Sequence, residues 1–295
     1  ASVIKLNKLL PSSMRDRVAV AAALGLAAVG VAVFAWRRRQ ALKQFVWASQ
    51  HGAEKATVAG GHEDSIMLEG DRLLKKQQNQ GRGAREVEFL KKAANHPFLK
   101  DWAPVLYGVR EINGEAWTEM SNLTAGMDMP VVLDLKLGTQ TWTPGCSEEK
   151  RKYHEAKAKA STSLKLGVRV TGGTIRNGFG EELESIGYKK KKEVRSEAEL
   201  RDCLGRYLCS DVMRREFLEK MRALHAWFST QSDFHFFGTS VLLAFDGSVE
   251  CPSELRVGLI DFPHVQEVNT PDESCKAGAA TLLRVAADVV QASSK

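Results

Sequence analysis

Two charged residues alternate with leucines in residues 130–138, which read Pro-Val-Val-Leu-Asp-Leu-Lys-Leu-Gly. Residues 131–133 are typical of a strand that enters a core. Because side chains in a strand alternate between its two faces, Asp134 and Lys136 share one face and the leucines occupy the other. A carboxylate beside an ammonium suits the binding of a ribose hydroxyl and a phosphate. A surface ion pair on an edge strand would produce the same pattern, and the segment alone favours that interpretation.

A second pair of opposite charges lies nearer the N-terminus. Residues 65–75 predict a β-hairpin around the turn Glu69-Gly70-Asp71, and Lys75 ends its second strand. Residues 85–94 predict a helix with Glu86 in its first turn. A strand lysine paired with a helix carboxylate is how protein kinases position ATP phosphates. Two solvated charges are the alternative, which spacing alone favours.

A third carboxylate ends a buried strand in the C-terminal part of the chain. Residues 238–243 predict a strand that contains Ser240, and residues 257–262 predict a second strand that ends in Ile-Asp-Phe, with Asp261 as its carboxylate. A strand-end aspartate of this kind can hold Mg²⁺ against phosphates. The same residue is also common in ordinary turns, so the alternative stays open at this point.

Basic residues are concentrated shortly after the strand that contains Asp134. Ser147 is a suitable N-cap for a helix that runs to about residue 160, and this helix contains Lys150 and Lys157. A run of charges on a helix is usually a solvated face. The functional alternative is a wall that collects phosphates beside Lys136.

The composition limits the classes of partner. The chain has 295 residues and a formal net charge of +6, which fits an anionic partner such as a phosphorylated small molecule, a membrane surface or a nucleic acid. No recognised nucleic-acid-binding motif is present, so we expect no nucleic-acid partner. The five cysteines show no CxxC spacing, which argues against a zinc site or a disulfide framework. The sequence has neither a Walker A motif nor a GxGxxG loop, so it supports neither a P-loop enzyme nor an ordinary protein kinase.

Residues 18–36 contain no charged side chain and are followed by Arg37-Arg38-Arg39. A helix over this stretch would span roughly 28 Å, close to the thickness of a bilayer core. We therefore predict a membrane anchor through residues 18–36, with residues 46–295 in the cytosol. A cleaved targeting segment is the alternative and would leave a soluble cytoplasmic or nuclear protein.

Several of these segments, taken together and in order, resemble the inositol polyphosphate kinases. Residues 130–138 have the form PxxxDxKxG, which is similar to the signature of that family. The other segments that carry the resemblance are Leu73-Leu74-Lys75, Arg82-Gly-Ala-Arg-Glu-Val-Glu-Phe89, Ser161-Thr162-Ser163, Leu166-Gly-Val-Arg-Val170, Ser240-Val-Leu-Leu243 and Ile260-Asp261-Phe262.

The resemblance implies an α+β fold with two lobes, related to the protein kinases, in which ATP lies in the cleft. It predicts an N-terminal ATP-binding lobe over residues 46–129 and a C-terminal lobe over residues 130–295 that carries the inositol phosphate and metal site. Residues 1–45 precede the lobes as the membrane anchor or targeting segment.

The resemblance also implies a role for each candidate residue. Asp261 would bind the metal and Lys136 would bridge the transferred phosphoryl group and the substrate, and both are predicted to be catalytic. The residues predicted to contact or position ATP are Lys75, Glu86, Ser121, Leu123, Asp134 and Ser240. The residues predicted to bind the inositol phosphate are Lys136, Lys150, Lys157, Ser161, Thr162 and Arg169. The cofactors are then ATP and Mg²⁺, and the partner of this monomer is an inositol polyphosphate or, alternatively, a phosphoinositide lipid.

Three hypotheses about function follow. The first is a multikinase-type inositol polyphosphate kinase, and the second is an inositol hexakisphosphate kinase that forms a diphosphate. The third is a membrane-anchored, catalytically weak relative that binds inositol phosphates or phosphoinositides. Departures from the family pattern keep the third open: Ser121 replaces a usual acidic residue, a Tyr-Gly-Arg element is missing, and Ser274-Cys275 replaces Gly-Tyr.

Overall fold

The computed structural model describes residues 54–55, 65–78, 81–176, 182–187, 193–248 and 252–293. Residues 54–295 form one compact unit. The membrane anchor predicted at residues 18–36 lies outside the described residues and stays a prediction. None of the helices in the described ranges combines the length and the apolar character that crossing a bilayer requires.

The first sheet is built from the hairpin region and the strands that follow it. Its strands are β1 (Glu54–Lys55), β2 (Ile66–Glu69), β3 (Arg72–Lys76), β4 (Leu106–Ile112) and β5 (Glu115–Ser121). They lie antiparallel in the order β1-β2-β3-β5-β4. The predicted hairpin is confirmed, because Ile66 pairs with Lys75 across a turn at Gly70. Helix α1 (Arg82–Ala93) follows it and begins three residues before the predicted start.

The second sheet contains the acidic strand at its centre. Its strands are β6 (Pro130–Leu137), β7 (Val168–Arg176), β8 (Glu182–Gly187), β10 (Ser240–Asp246) and β11 (Arg256–Ile260). Their order is β11-β10-β6-β7-β8. Two short strands, β9 (Phe234–His235) and β12 (Gln266–Glu267), pair separately.

Five helices accompany the second sheet: α2 (Glu148–Lys159), α3 (Ser163–Leu166), α4 (Glu197–Tyr207), α5 (Asp211–Thr230) and α6 (Glu273–Ser293). The prediction that Ser147 caps α2 is confirmed, since its hydroxyl accepts a hydrogen bond from Lys150 N at 3.3 Å. Ser196 caps α4 in the same way, through Glu199 N at 3.1 Å. Such caps satisfy backbone donors that the first turn of a helix leaves without a partner.

The leucines of β6 hold this strand in the core. Leu133, Leu135 and Leu137 have no exposed surface and belong to the same buried cluster as the apolar stripes of α5 and α6. Truncating a leucine in such a site costs roughly 2–5 kcal/mol, so the strand is strongly fixed. Since side chains alternate, fixing the leucines also fixes Asp134 and Lys136 on the opposite face.

Candidate active site

The polar face of the second sheet brings four predicted site residues together. The strand register places Lys136 on β6 directly opposite both Ser240 on β10 and Arg169 on β7. Asp134 lies opposite Leu242, two positions from Ser240. Because directly paired residues of antiparallel strands point to the same face, Asp134, Lys136, Arg169 and Ser240 share one face.

Asp261 follows the last residue of β11 and has a left-handed backbone conformation, with φ +67°. Aspartate tolerates this region better than most residues, but the conformation still needs support. Thr239 Oγ1 donates to the carbonyl oxygen of Asp261 at 3.1 Å, and Phe262 N donates to Glu86 Oε1 at 3.2 Å. The two residues that follow β11 are thus held from both β10 and α1.

Two lysines converge on the carboxylate of Asp261. Lys75 Nζ lies 2.8 Å from Asp261 Oδ1 and 2.9 Å from Glu86 Oε1. Lys136 Nζ lies 3.3 Å from Asp261 Oδ2 and donates to Gly238 O at 2.6 Å. The predicted pairing of Lys75 with Glu86 is therefore present, and the pair extends into a four-residue network.

The network shifts the pKa values of its members. Burial by itself would raise the pKa of Asp261, but Lys75 and Lys136 outweigh burial and hold that pKa well below its usual range. For Lys75, burial lowers the pKa, whereas Asp261 and Glu86 raise it further, so the net pKa lies above its usual value. Asp261 is therefore an anion and Lys75 a cation at neutral pH, so the site offers both a carboxylate ligand for a metal ion and an ammonium group for a phosphate.

Asp134 and Ser240 are buried polar residues that interact with each other, and this side-chain contact lowers the pKa of the Asp134 carboxyl. Neither Asp134 Oδ1 nor Ser240 Oγ has a hydrogen-bond partner of regular geometry among the described residues. Burial raises the pKa of Asp134, and Lys136 opposes this shift only in part. Leaving a buried polar atom without a partner costs roughly 1–3 kcal/mol, so these atoms fit a site that a ligand completes.

An apolar cleft lies beside this polar cluster. It has a volume of about 950 Å³, counted to include the open space at its mouth. Its apolar lining comes from both sheets, α1 and the segments beside them: Ile66, Leu68, Leu73, Leu90, Pro104, Met120, Leu123, Val132, Leu242, Ile260 and Phe262. Lys75, Glu86, Asp134 and Asp261 also line it. Such a cleft suits a flat apolar ring system whose charged part reaches the lysines.

The segment after β5 forms one side of the cleft, where Ser121 and Leu123 were both predicted to bind ATP. Ser121 Oγ accepts a hydrogen bond from Val105 N at 2.9 Å. Arg256 Nη1, on β11, donates to the carbonyl oxygens of Leu123 at 3.1 Å and Ala125 at 2.6 Å. The Ser121 hydroxyl is thus engaged within the fold as an acceptor, while the Leu123 side chain contributes to the apolar lining of the cleft.

A basic pocket lies on the other side of the cluster. It is lined by Arg82, Arg85, Lys150 and His264 together with residues 143–147. An intermediate pocket contains Lys75 and Asp261 as well as Arg82 and His264, so the apolar cleft, the lysines and the basic pocket are contiguous. A molecule with several phosphates fits the basic pocket by charge.

The other predicted substrate-binding residues have different positions. Lys157 lies on α2, two turns from Lys150. Arg169 is buried, and its Nη1 donates to Ser163 Oγ at 3.1 Å. Thr162 is buried and its hydroxyl donates to Val168 O at 2.6 Å, and its role in substrate binding stays a prediction. Ser161 Oγ accepts from Ser163 N at 3.3 Å, so its hydroxyl also stabilises the turn before α3.

Sequence reasoning did not assign site roles to Arg82, Arg85, His264 or Thr239. Arg85 Nε donates to Pro263 O at 3.1 Å, a contact between residues 178 positions apart. Arg82 and Arg85 lie inside a segment that carried the family resemblance, and His264 comes three residues after Asp261. Their closeness in sequence to these motifs was the available signal. The spacing of residues within a strand or helix does not reveal contacts between residues that are far apart in the sequence.

The carboxylate content of the site limits the metals it suits. Within the described ranges there is no group of three or more His, Cys, Asp or Glu side chains that could hold a metal ion by themselves. Mg²⁺ commonly uses one or two carboxylates and takes its other ligands from water and phosphate oxygens. Asp261, with the unused atoms of Asp134 and Ser240 nearby, fits such a shared site.

Comparisons with known proteins identify relatives of the chain. A family model described as inositol polyphosphate kinase matches residues 117–284, which is more than half of the chain. The chain is 26% identical over 260 residues to inositol polyphosphate multikinase IPK2 of Oryza sativa subsp. indica, covering 76% of this chain and 88% of that protein. It is 32% identical over 173 residues to inositol hexakisphosphate kinase 1 of Rattus norvegicus, covering 52% of this chain and 37% of that protein.

The fold also matches a solved structure. Inositol phosphate multikinase Ipk2 from S. cerevisiae, determined in complex with ADP and Mn²⁺, superimposes with a TM-score of 0.61 at 20% identity, covering 74% of this chain and 99% of that chain. The predicted mixed helix-and-sheet kinase fold is therefore confirmed. With the family model matching more than half of its residues, this chain belongs to the inositol polyphosphate kinase family.

Proposed function

We propose that the protein is an ATP-dependent inositol polyphosphate kinase of the multikinase type. It transfers the γ-phosphoryl group of ATP to a hydroxyl of an inositol polyphosphate. The observation that carries this proposal is the continuous path from the apolar cleft, past Lys75 and Asp261, to the basic pocket around Lys150. The yeast Ipk2 structure, which contains ADP and Mn²⁺, supports a nucleotide and a divalent metal as cofactors.

The role of each side chain follows from its position in the site. Adenine occupies the apolar cleft, and Asp134 accepts a hydrogen bond from a ribose hydroxyl. Lys75, held by Glu86 at 2.9 Å, binds ATP phosphates. Lys136 neutralises charge on the transferred group and contacts the substrate. Catalysis then rests on positioning and charge neutralisation, with little covalent chemistry by the protein.

Asp261 and Ser240 would hold the metal, and Mg²⁺ supplies charge that stabilises the phosphates when it is bound. In the transfer itself, a bond forms between the substrate hydroxyl oxygen and the γ-phosphorus, the bond from that phosphorus to the bridging oxygen of ADP breaks, and the hydroxyl proton is released to solvent. Lys75 and Lys136, which both contact Asp261, would neutralise the charge that develops in this transfer.

An inositol hexakisphosphate kinase is the second candidate. The 32% identity to the rat hexakisphosphate kinase over 173 residues supports it. In that reaction an oxygen of an existing phosphate attacks the γ-phosphorus in place of a hydroxyl, and the product contains a diphosphate. The cationic side chains lining the basic pocket do not discriminate between the two acceptors by charge.

A product assay separates the candidates. The full chain is incubated with Mg²⁺–ATP and a panel of inositol tris-, tetrakis-, pentakis- and hexakisphosphates, and products are resolved by chromatography. Turnover of tris- and tetrakisphosphates supports the multikinase proposal, whereas turnover of the hexakisphosphate alone supports the second candidate. Nucleotide binding without any product would leave the hypothesis of a catalytically weak binding protein.

We also propose that residues 18–36 anchor the protein in a membrane with the kinase part in the cytosol, where ATP is present. The uncharged stretch of 19 residues supports this proposal. Anchoring would raise the local concentration of lipid and so make a phosphoinositide substrate plausible. Alkaline carbonate extraction and protease protection test it: release into the soluble fraction, or a kinase part protected inside vesicles, would contradict the anchor.

A further inference from the structure

The first residue of β11 is an arginine that lies on the same face as the candidate active site. Arg256 pairs with Ala244 on β10, and Ala244 pairs with Val132 on β6. Because directly paired residues of antiparallel strands point to one face, Arg256 shares the face of Val132. Side-chain alternation along β6 puts Lys136 on this face too, four residues and roughly 13 Å from Val132. Arg256 therefore lies at the opposite end of the active-site face from Lys136.

The guanidinium of Arg256 holds the segment that joins β5 to β6. Its Nη1 donates to Leu123 O at 3.1 Å and to Ala125 O at 2.6 Å, and its Nε donates to Glu254 Oε1 at 2.7 Å. Two residues further along the same face, position 258 is a glycine, and a Cβ at this position would lie 3.6 Å from Leu123 Cδ1. Leu123 thus packs directly on β11 while its carbonyl group is bound by the arginine of that strand.

The segment held by Arg256 also lines the apolar cleft, through Leu123 and Thr124. Among the residues that the structure describes, the backbone N–H of Leu123 has no hydrogen-bond partner. On the other side of the segment, Asn122 Oδ1 accepts from Thr124 N at 2.9 Å and Asn122 Nδ2 donates to Gly70 O at 3.2 Å. The segment is therefore tied to the first sheet through Asn122 and to the second sheet through Arg256, and it keeps one backbone donor for a ligand.

We propose that Arg256 is a positioning residue for the nucleotide: by binding the carbonyl groups of Leu123 and Ala125, it holds the segment after β5 in the conformation that receives the adenine ring. This inference rests on the proposed function, which takes the ligand of the apolar cleft to be ATP. A guanidinium suits the role because it is planar and offers several donors, so one side chain can bind two carbonyl oxygens. Lys136 lies at the other end of the face, so phosphate binding should not depend on Arg256.

The test is calorimetric titration of the full chain with Mg²⁺–ATP and, separately, with Mg²⁺–tripolyphosphate, which has three phosphates but no adenosine. Arg256→Met removes the guanidinium and keeps an unbranched apolar side chain. We expect its affinity for ATP to fall by roughly 5- to 30-fold, because nucleotide binding must then order the backbone of about one more residue. Its affinity for tripolyphosphate should equal that of the parent.

Two further variants sharpen the result, with melting curves to verify that each protein is folded. Arg256→Lys keeps a cation that can donate to the same carbonyl groups, so it should recover part of the lost ATP affinity. Arg215→Met, at an exposed position on α5, should match the parent with both probes. An equal loss of affinity for both probes in Arg256→Met would show a general structural role and overturn the inference, as would an unchanged affinity for ATP.

Steady-state kinetics keep the two proposals apart. In Arg256→Met, KM for ATP should rise by the same factor as in the titration, while kcat and KM for the inositol phosphate stay at the parent values. This split also decides the question if tripolyphosphate binds too weakly to titrate. If products form and KM for ATP is unchanged, the proposed function stands and this inference alone fails.

The opposite outcome is equally distinct. If the affinity for ATP depends on Arg256 and the affinity for tripolyphosphate does not, but no product forms from any member of the panel of inositol phosphates, the positioning role stands and the proposed reaction is wrong. Failure of the parent to bind ATP would overturn both proposals.

Discussion

Helices α1 and α2 are each 12 residues long, and both bring side chains to the candidate active site, but the protein holds them differently. Both are described along their whole length. Helix α1 buries six residues: Gly83, Glu86, Val87, Phe89, Leu90 and Ala93. Helix α2 buries Ala158 alone. The first helix is part of the core, whereas the second lies on the surface.

The difference extends to the charges that each helix carries. Glu86 of α1 is buried and accepts hydrogen bonds from Lys75 and from Phe262 N, so it connects the first sheet to Asp261. On α2, Arg151 pairs with Glu155 of the same helix, an exposed i,i+4 pair worth only a few tenths of a kcal/mol. The part of the site around Lys75, Glu86 and Asp261 therefore has a geometry set by packing, whereas the exposed face of α2 is free to vary in sequence at little cost in stability.

Asp261→Asn should have the largest effect, because under the proposed function Asp261 would bind the metal. Asparagine matches the shape of aspartate and tolerates φ +67°, so the fold should survive. Turnover should fall by orders of magnitude, since an amide cannot supply the anionic ligand that Mg²⁺ prefers. Nucleotide should still bind, with a weaker dependence on Mg²⁺. Turnover, melting curves and nucleotide titrations with and without Mg²⁺ measure these effects.

Asp128→Asn, at an exposed position, serves as the matched control and should leave turnover unchanged. A folded Asp261→Asn protein with near-parent activity would remove Asp261 from the site. Loss of folding would instead show that its main role is to neutralise Lys75 and Lys136, since removing one partner of a buried ion pair is costly.

Lys136→Ala should weaken inositol phosphate use more than nucleotide binding, because Lys136 shares its face with Arg169 toward the substrate side. We expect KM for the inositol phosphate to rise by roughly 10- to 100-fold, equivalent to about 1.4–2.8 kcal/mol. Direct titration should show a much smaller change in ATP affinity. Lys159→Ala, an exposed lysine of α2, is the control. An equal loss of ATP affinity would mean that Lys136 serves the nucleotide.

The sequence correctly predicted the positions of residues that depend only on the regular spacing of side chains within one strand or helix. Asp134 and Lys136 were assigned to one face because strand side chains alternate, and Lys75 and Glu86 because a strand and a helix were each recognisable. Arg85 escaped prediction because its place in the site depends on Pro263, 178 residues away. The role of Thr162 in substrate binding stays a prediction, and the sequence did not reveal that its hydroxyl donates to Val168 O, only six residues away.

One departure from the family pattern has a local structural account. Ser274 Oγ accepts a hydrogen bond from Gln140 N at 3.0 Å, directly after the strand that carries Lys136. Cys275 is buried, and its backbone N–H donates to Asp272 Oδ1 at 2.9 Å. These residues thus fix the start of α6 against the end of β6. Comparison with the family motif alone made these two residues an argument against activity. Such a comparison does not show which hydrogen bonds the replacing residues form.

His264→Gln tests the electrostatics of the basic pocket, and its expected effect is smaller than those of Asp261→Asn and Lys136→Ala. The pKa of His264 is about 4 in the folded protein, below its ordinary 6.5, because of burial and nearby cations. Between these values the unfolded chain binds a proton that the folded chain does not, so stability falls as the pH falls from about 6.5 to 4. His264→Gln should lessen this loss by roughly 1 kcal/mol, a value discounted because the side chain is half-exposed. Urea denaturation at pH 5.0 and 7.5 measures it.

His225→Gln is the control for this pH dependence, since it removes a histidine outside the pocket. The difference in unfolding free energy between pH 5.0 and 7.5 should be the same for His225→Gln and the parent. An unchanged difference for His264→Gln as well would show that His264 titrates normally, and that the cations of the pocket are screened from it.

The smallest expected effect comes from the helix caps, which test the contrast between core and surface helices directly. Ser147 caps α2 through Lys150 N, and Ser196 caps α4 through Glu199 N. Removing such a cap costs about 1 kcal/mol of helix stability. Helix α4 buries Leu200, Cys203, Leu204 and Tyr207, so Ser196→Ala should lower the free energy of unfolding by about that amount.

Ser147→Ala should change the free energy of unfolding by less than about 0.5 kcal/mol, because α2 can fray while the core stays folded. Loss of this cap should instead weaken binding of the inositol phosphate. Lys150 lies in the first turn of α2 and lines the basic pocket, so fraying should raise KM for the inositol phosphate by roughly threefold to fivefold. Ser196→Ala should leave that KM unchanged. Denaturation curves and substrate titrations on both variants decide the matter: equal losses of global stability would show that α2 is as firmly held as α4, and the contrast between core and surface helices would then fail.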